Sequence, residues 1–109
     1  MDNLRMQQIR EMLKNDPTDP FLNYALAMEY VGQNNDSEAI HLLETLHKTH
    51  PDYTATYYHL AQAYIRAGKK EDAVSMLKEG ISVASAKRER HALSELQSAY
   101  NELIFEDYD

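Results

Sequence analysis

Apolar residues recur every three or four positions along most of the chain, which is the spacing of a helix with one buried face. The first segment of this kind carries Met6, Ile9, Met12 and Leu13. Its pattern stops where Asp16 precedes a proline. We therefore predict a first helix at roughly residues 2–15.

A second helix is indicated by Asp19, which precedes Pro20. This pair is typical of an N-cap followed by proline at the first helical position, and the helix is predicted to run from Pro20 to about Gly32. Asn35 and a glutamate three residues later have the spacing of a capping box, which predicts a third helix that ends near Thr49.

The next two helices are separated by a glycine. A fourth helix is expected to begin near Tyr53, with Asp52 as its N-cap, and to end at Gly68, because glycine readily takes the left-handed conformation that closes a helix. A fifth helix is predicted from about Lys70 to Ala84.

A sixth helix is predicted from about Lys87 to Glu106. One apolar stripe runs along it, made of Leu93, Leu96, Tyr100 and Leu103. Polar residues occupy its other faces, so this helix is expected to cover the open end of the preceding pair.

The chain also matches itself at an offset of 34 residues. The identical pairs are Tyr24 and Tyr58, Leu26 and Leu60, Ala27 and Ala61, Tyr30 and Tyr64, Ala39 and Ala73, and Leu43 and Leu77. Asn34 pairs with Gly68 in this register, and Asn is the other residue that tolerates a left-handed backbone. A third copy is absent, because the next offset places Ser94, Glu95 and Ser98 at the core positions.

This period and these small and aromatic positions resemble the tetratricopeptide repeat, a helix-turn-helix unit that stacks into a solenoid. The resemblance covers about residues 20–85. It implies an all-α, right-handed helix-turn-helix solenoid of about six helices in a single domain. Its expected parts are an N-terminal helix (1–16), repeat one (20–53), repeat two (54–87) and a C-terminal capping helix with an acidic tail (88–109).

The same resemblance implies that the paired alanines let the helices of a repeat approach closely, while the leucines and tyrosines fill the core. Two positions depart from the family pattern. Tyr57 stands where the family often has an aromatic residue, but repeat one has Asn23 there; repeat one has the late proline, Pro51, where repeat two has Ser85.

Function is also implied by the resemblance, since such solenoids bind protein partners. The family uses the concave surface formed by the first helix of each repeat. In this chain that predicted groove consists of Phe21, Tyr24, Met28, Val31, Ala55, Tyr58, Gln62, Ile65 and Arg66. Large apolar side chains on an exposed face suit a partner peptide. The alternatives are that a terminal helix covers this face, or that Phe21 and Met28 belong to the core.

One branch of the family grips the C-terminal carboxylate of chaperones with Lys, Arg and Asn. The chain has Tyr24 and Met28 at groove positions where that clamp needs Lys and Asn, so chaperone-tail recognition is not expected. A small scaffold or adaptor is the favoured function, and self-assembly of the chain into a homodimer or larger homo-oligomer is the alternative.

Length and composition limit the remaining possibilities. At 109 residues the chain is too short for a catalytic domain beside the repeats, and it contains no Cys and no run of about 18 apolar residues. We expect a cytoplasmic protein that does not span a membrane.

The net charge of −7 is unevenly distributed, with 7 basic and 4 acidic residues at positions 54–90 and acidic segments on both sides. The basic residues there could attract an acidic partner. Because acidic residues lie among them, we expect these residues simply to form a solvent-exposed face. Nucleic-acid binding is disfavoured because the chain is acidic overall.

Chemistry-bearing motifs are scarce. His47 and His50 share one helical face with His41 a turn earlier, yet no carboxylate pair or HExxH arrangement accompanies them. The sequence has no nucleophile elbow and no glycine-rich phosphate loop. We therefore expect no metal, no cofactor and no enzymatic activity.

Overall fold

The computed structural model describes residues 2–106, and the regular secondary structure in this range is helical. Six of them lie there: α1 (Leu4–Asn15), α2 (Pro20–Gly32), α3 (Asp36–Thr49), α4 (Ala55–Arg66), α5 (Lys70–Lys87) and α6 (Arg90–Phe105). The predicted all-α class is confirmed. The last three residues of the expected acidic tail lie outside the described residues.

Backbone packing divides the chain into two compact units, Met1–Tyr53 and Thr54–Asp109. Unit 1 contains α1–α3, with α2 packed against both of the other helices. Unit 2 contains α4–α6, in which each helix packs against the other two. The assignment of one domain to the whole chain stays a prediction.

Side-chain N-caps begin the three helices of unit 1. Oxygen atoms of Asn3, Asp19 and Asn35 accept hydrogen bonds from the backbone N–H three residues later, at 2.8, 3.0 and 3.3 Å. The start of α2 at Pro20 is thereby confirmed. Only half of the predicted capping box forms at α3, because the Asn35 N–H donates to the Tyr30 carbonyl.

The ends of α2 and α4 repeat one hydrogen-bonded motif at the 34-residue offset. Asn34 and Gly68 both have positive φ angles, 59° and 77°. The N–H of the following residue, Asn35 or Lys69, donates to the carbonyl of Tyr30 or Tyr64 at 2.9 and 2.8 Å. This is the Schellman arrangement, so the predicted equivalence of Asn34 and Gly68 is confirmed.

The helix boundaries of unit 2 differ from the sequence prediction at the start of α4. Thr54 is the N-cap residue instead of Asp52, and the helix begins at Ala55. The Thr54 hydroxyl donates a hydrogen bond to the Glu89 carboxylate at the start of α6. The residue that precedes α4 is therefore involved in a long-range contact that the local sequence does not indicate.

The boundary between α5 and α6 also differs. Helix α5 continues to Lys87 rather than Ala84, and α6 begins at Arg90 rather than near Lys87. The reversal occurs at Arg88, whose φ of 58° is left-handed, and the Glu89 N–H donates to the Ala84 carbonyl. A third Schellman end therefore closes α5 without a glycine or an asparagine to mark it.

Most positions repeated at the 34-residue offset are buried, as predicted. The shared set with at most 7% exposure is Leu26, Ala27, Ala39, Leu43, Leu60, Ala61, Tyr64, Ala73 and Leu77. Tyr30 is half-buried, because its ring faces Arg10 and its hydroxyl accepts from that guanidinium. Because the repeated alanines are buried, a substitution that changes the volume of their side chains is expected to destabilise the fold.

Helix α6 covers the end of unit 2 with its apolar stripe. Leu96 and Leu103 are buried, while Leu93 and Tyr100 are half-buried. In unit 1, α1 packs against repeat one, and its Met6 and Ile9 form a core cluster with Leu26. Both flanking helices therefore bury apolar surface against a repeat.

Candidate functional site

The unit 1 part of the predicted groove lies on α2. Phe21 is 62% exposed, and Tyr24, Met28 and Val31 are half-buried. With about 100° between successive residues of a helix, these four side chains fall within one third of its circumference. They therefore lie on one side of α2, and their role as a binding surface stays a prediction.

Helix α1 packs against a different face of α2. Arg5 forms an ion pair with Glu29 at 3.4 Å, and the Gln33 amide lies 3.0 Å from the sulfur of Met6. Around the helix axis, Glu29 lies about 80° and Gln33 about 120° from Phe21, the nearest groove position. The polar contacts described between α1 and α2 involve none of the four groove side chains of unit 1.

Tyr24 makes an aromatic contact within unit 1. Its ring centroid is 5.9 Å from that of Tyr53, with the planes inclined at 58°. Burial raises the pKa of Tyr53, and the negative charge of Asp19 raises it further. The two phenol rings thus form an aromatic surface at the start of α2.

The unit 2 part of the predicted groove lies on α4. Ala55, Tyr58 and Gln62 are half-buried, Ile65 is 37% exposed, and Arg66 is exposed. The structure brings Gln62 and Ile65 together in an open recess of about 180 Å³. The same recess contains side chains of α6, which the groove prediction did not include.

The α6 residues of this recess are Ala99, Glu102, Leu103 and Glu106. Glu106 forms an ion pair with Lys70 at 3.0 Å, which ties the end of α6 to the start of α5. In the sequence, the apolar stripe of α6 indicated that this helix packs against the preceding pair. The acidic side chains beside the stripe could not be placed in the same way, because the 34-residue repeat does not continue after α5.

His59 follows Tyr58 on α4 and interacts with two charged side chains, Glu95 and Arg66. The His59 ring meets the Tyr58 ring edge to face, with centroids 5.2 Å apart. Burial lowers the pKa of His59, the carboxylate of Glu95 raises it, and the positive charge of Arg66 lowers it. His59 is therefore neutral near pH 7, so the ring beside Tyr58 carries no charge.

Among residues 2–106, no group of three or more His, Cys, Asp or Glu side chains is arranged to hold a metal ion. His50 instead shares a 3.0 Å hydrogen bond with the Thr49 hydroxyl. Within the same range, no helix combines the length and the apolar character that crossing a bilayer requires.

Comparison with known proteins gives consistent matches to one family. A family model described as tetratricopeptide repeat matches residues 30–100. A tetratricopeptide repeat domain protein from Salinibacter ruber is 44% identical; the match covers 81% of this chain and 89% of that protein, with a TM-score of 0.77. No curated protein matches the chain.

Two more distant structures share the fold. The type III secretion translocator chaperone SycD of Yersinia enterocolitica has a TM-score of 0.85 at 14% identity, over 95% of this chain and 72% of that one. PcrH, in complex with the chaperone-binding region of PopD, has a TM-score of 0.82 at 11% identity, over 91% and 75%. The predicted solenoid class of helical hairpins is thereby confirmed.

Proposed function

Since the chain belongs to the tetratricopeptide repeat family, we propose that it is a protein-interaction module that binds a peptide or helix on the groove face of α2 and α4. The observation that carries the proposal is the set of large apolar side chains on one side of α2, of which Phe21 is exposed and Tyr24, Met28 and Val31 are half-buried. Phe21 is 62% exposed, and a partner that covered it would remove this apolar ring from water.

The chemistry of this face favours an apolar peptide. Tyr24 and Met28 present large, adaptable surfaces, and Tyr58 stands beside a neutral imidazole. Aromatic and methionine side chains are enriched at the centres of protein interfaces, where charged groups are depleted. The PcrH structure contains a bound segment of PopD on a similar fold, which supports a peptide-binding role here by analogy.

The unit 2 recess adds polarity beside the α4 part of the proposed groove. Glu102 and Glu106 lie beside Gln62 and Ile65, and of these two carboxylates Glu106 has a described ion pair, with Lys70. A partner with a basic residue beside its apolar anchors would therefore be matched in charge at α4. Binding, rather than catalysis, is the proposed activity, and a cytoplasmic location stays a prediction.

The proposal can be tested by comparative capture. The native chain and a variant with Tyr24→Ala and Tyr58→Ala are each used as bait in lysate of the source cell, and bound proteins are quantified by mass spectrometry. The matched control changes Leu4→Ala and Met12→Ala, two exposed apolar positions on α1. A groove partner is retained by the native and control baits and lost by the tyrosine variant.

Affinity then gives the magnitude. A synthetic peptide from the retained partner should bind the tyrosine variant with a Kd at least about 30-fold higher, because a truncated aromatic anchor costs roughly 2 kcal/mol. Phe21→Ala is a second test that spares the Tyr24–Tyr53 contact. Unchanged binding in variants with native circular dichroism would exclude the groove.

Self-assembly is the alternative function, and exposed apolar residues on α1 favour it. Leu4 is 69% exposed and Met12 is 53% exposed. Light scattering over a hundredfold range of concentration separates the two functions. A constant monomer mass supports the interaction module, whereas a dimer that Leu4→Ala with Met12→Ala dissociates supports self-assembly through α1.

A further inference from the structure

A cavity of about 150 Å³ opens between the start of α2 and the second half of α3 in unit 1. Pro17 and Asn23 lie on one side of it, and Leu42, Thr45, Leu46 and Thr49 lie on the other. None of the predicted groove residues lines it. The cavity is therefore a feature separate from the proposed peptide groove.

The equivalent space in unit 2 is occupied by a tyrosine ring. At the 34-residue offset, Asn23 corresponds to Tyr57, which is fully buried. The Tyr57 hydroxyl donates to the Glu79 carboxylate at 3.0 Å, and its Cβ approaches Gly80. Glu79 and Gly80 correspond to Thr45 and Leu46, so the two positions next to the ring in unit 2 line the cavity in unit 1.

Thr18 and His50 also line the cavity, and most of its polar side chains are already hydrogen-bonded, His50 to the Thr49 hydroxyl. The hydroxyls of Thr45 and Thr49 donate to the carbonyls of His41 and Thr45, both at 3.0 Å. The Asn23 amide donates to the carbonyls of Pro17 and Asp19 at 3.1 and 2.9 Å. The surface left for a ligand is therefore mainly aliphatic.

We propose that this cavity binds the phenyl ring of a phenylalanine side chain from a protein partner. An apolar cavity of about 150 Å³ is large enough to hold benzene. The second repeat shows that this helix pair accepts an aromatic ring at this place, since Tyr57 supplies one there from within the chain. Phenylalanine fits better than tyrosine because Thr45 replaces Glu79, the carboxylate that accepts the Tyr57 hydroxyl in unit 2.

The direct test uses the intact native chain and N-acetyl-phenylalanine amide as the probe. In a ¹⁵N-¹H titration, saturable shifts are expected at the backbone amides around the cavity, at Thr18, Asn23, Leu46 and Thr49. A ring of this size supports a Kd on the order of 1–10 mM. Absence of saturable shifts there, or equal binding of N-acetyl-leucine amide, would overturn the proposal.

Variants locate the site. Asn23→Tyr with Leu46→Gly transfers the residue pair of repeat two into unit 1 and should weaken probe binding at least about tenfold by filling the cavity from within. Thr45→Met fills the cavity from an exposed position on α3, and it replaces the double variant in this test if the double variant does not fold. Phe21→Ala is the control and should leave the probe Kd unchanged, which separates this site from the groove. Unchanged binding in a folded filled variant would place the probe elsewhere.

Discussion

Gly80→Ala tests the closest approach between α4 and α5. A Cβ at residue 80 would lie 2.6 Å from the Cβ of Tyr57, 3.0 Å from its Cγ and 3.2 Å from a methyl carbon of Leu96. Carbon atoms pack best at about 3.5–4.0 Å, so the two helices would have to separate by roughly 1 Å. The first of these contacts cannot be relieved by a rotamer change, because a Cβ moves only with its backbone.

The expected magnitude is the difference between two opposing effects. Replacing glycine by alanine inside a helix stabilises it by up to about 1 kcal/mol. Overpacking a buried contact costs about 1–3 kcal/mol, and a contact as short as this one belongs in the upper half of that range. Gly80→Ala should therefore lower the free energy of unfolding by about 1–2 kcal/mol.

Gly32→Ala is the matched control at the end of α2. A Cβ at Gly32 would meet nothing within 4 Å, so only the helix propensity changes. This variant should be as stable as the native chain or up to about 1 kcal/mol more stable. The same substitution is thus expected to have opposite signs in the two helices.

Urea unfolding followed by circular dichroism measures both effects. With an m-value of about 2 kcal/mol per molar, Gly80→Ala should shift the midpoint down by roughly 0.5–1 M, and Gly32→Ala should shift it slightly up. The m-values must agree for the midpoints to be compared. A Gly80→Ala protein with the native midpoint would refute the close approach of Tyr57 and Gly80.

Two further predictions concern Arg88 and His59. Arg88→Gly should stabilise the chain by about 0.5–1 kcal/mol in the same assay, because the φ of 58° is strained for arginine but not for glycine; a lower urea midpoint would contradict this. The pKa of His59 in the folded chain is lowered from its ordinary 6.5, chiefly by burial, so its contribution to stability is present above pH 6.5 and is lost as the pH falls through the folded pKa. His59→Gln should therefore reduce the loss of stability between pH 7.5 and 5, and an unchanged pH dependence of the urea midpoint would argue against the buried neutral imidazole.

The helix ends of unit 1 were predictable because their signals are local. Asp19, Asn35 and Asn34 act through hydrogen bonds to groups within five residues along the chain, and such contacts do not depend on the rest of the fold. The repeated core positions were predictable for a related reason. A helix hairpin copied at a fixed offset must bury the same face each time.

The boundaries around α4 and α6 required the tertiary structure. Thr54 donates to Glu89, 35 residues away, and no local pattern reveals that partner. Arg88 takes a left-handed conformation that arginine does not favour by itself, because α6 must reverse direction to pack on α5. Local propensity was overridden there by burial of the α6 stripe.

For the candidate sites too, one part was determined by the sequence and another part only by the tertiary structure. The sequence by itself determined the family and the face of α2 and α4 that carries the groove prediction, because a 34-residue period assigns each side chain to a side of its helix. In the sequence, the exchange of Tyr57 for Asn23 was visible as a departure from the family pattern, while the exchange of Gly80 for Leu46 gained meaning only in the structure. Only packing decided its consequence: one pair fills the space between its helices, and the other leaves a cavity, because the volume on each side depends on how closely two helices approach.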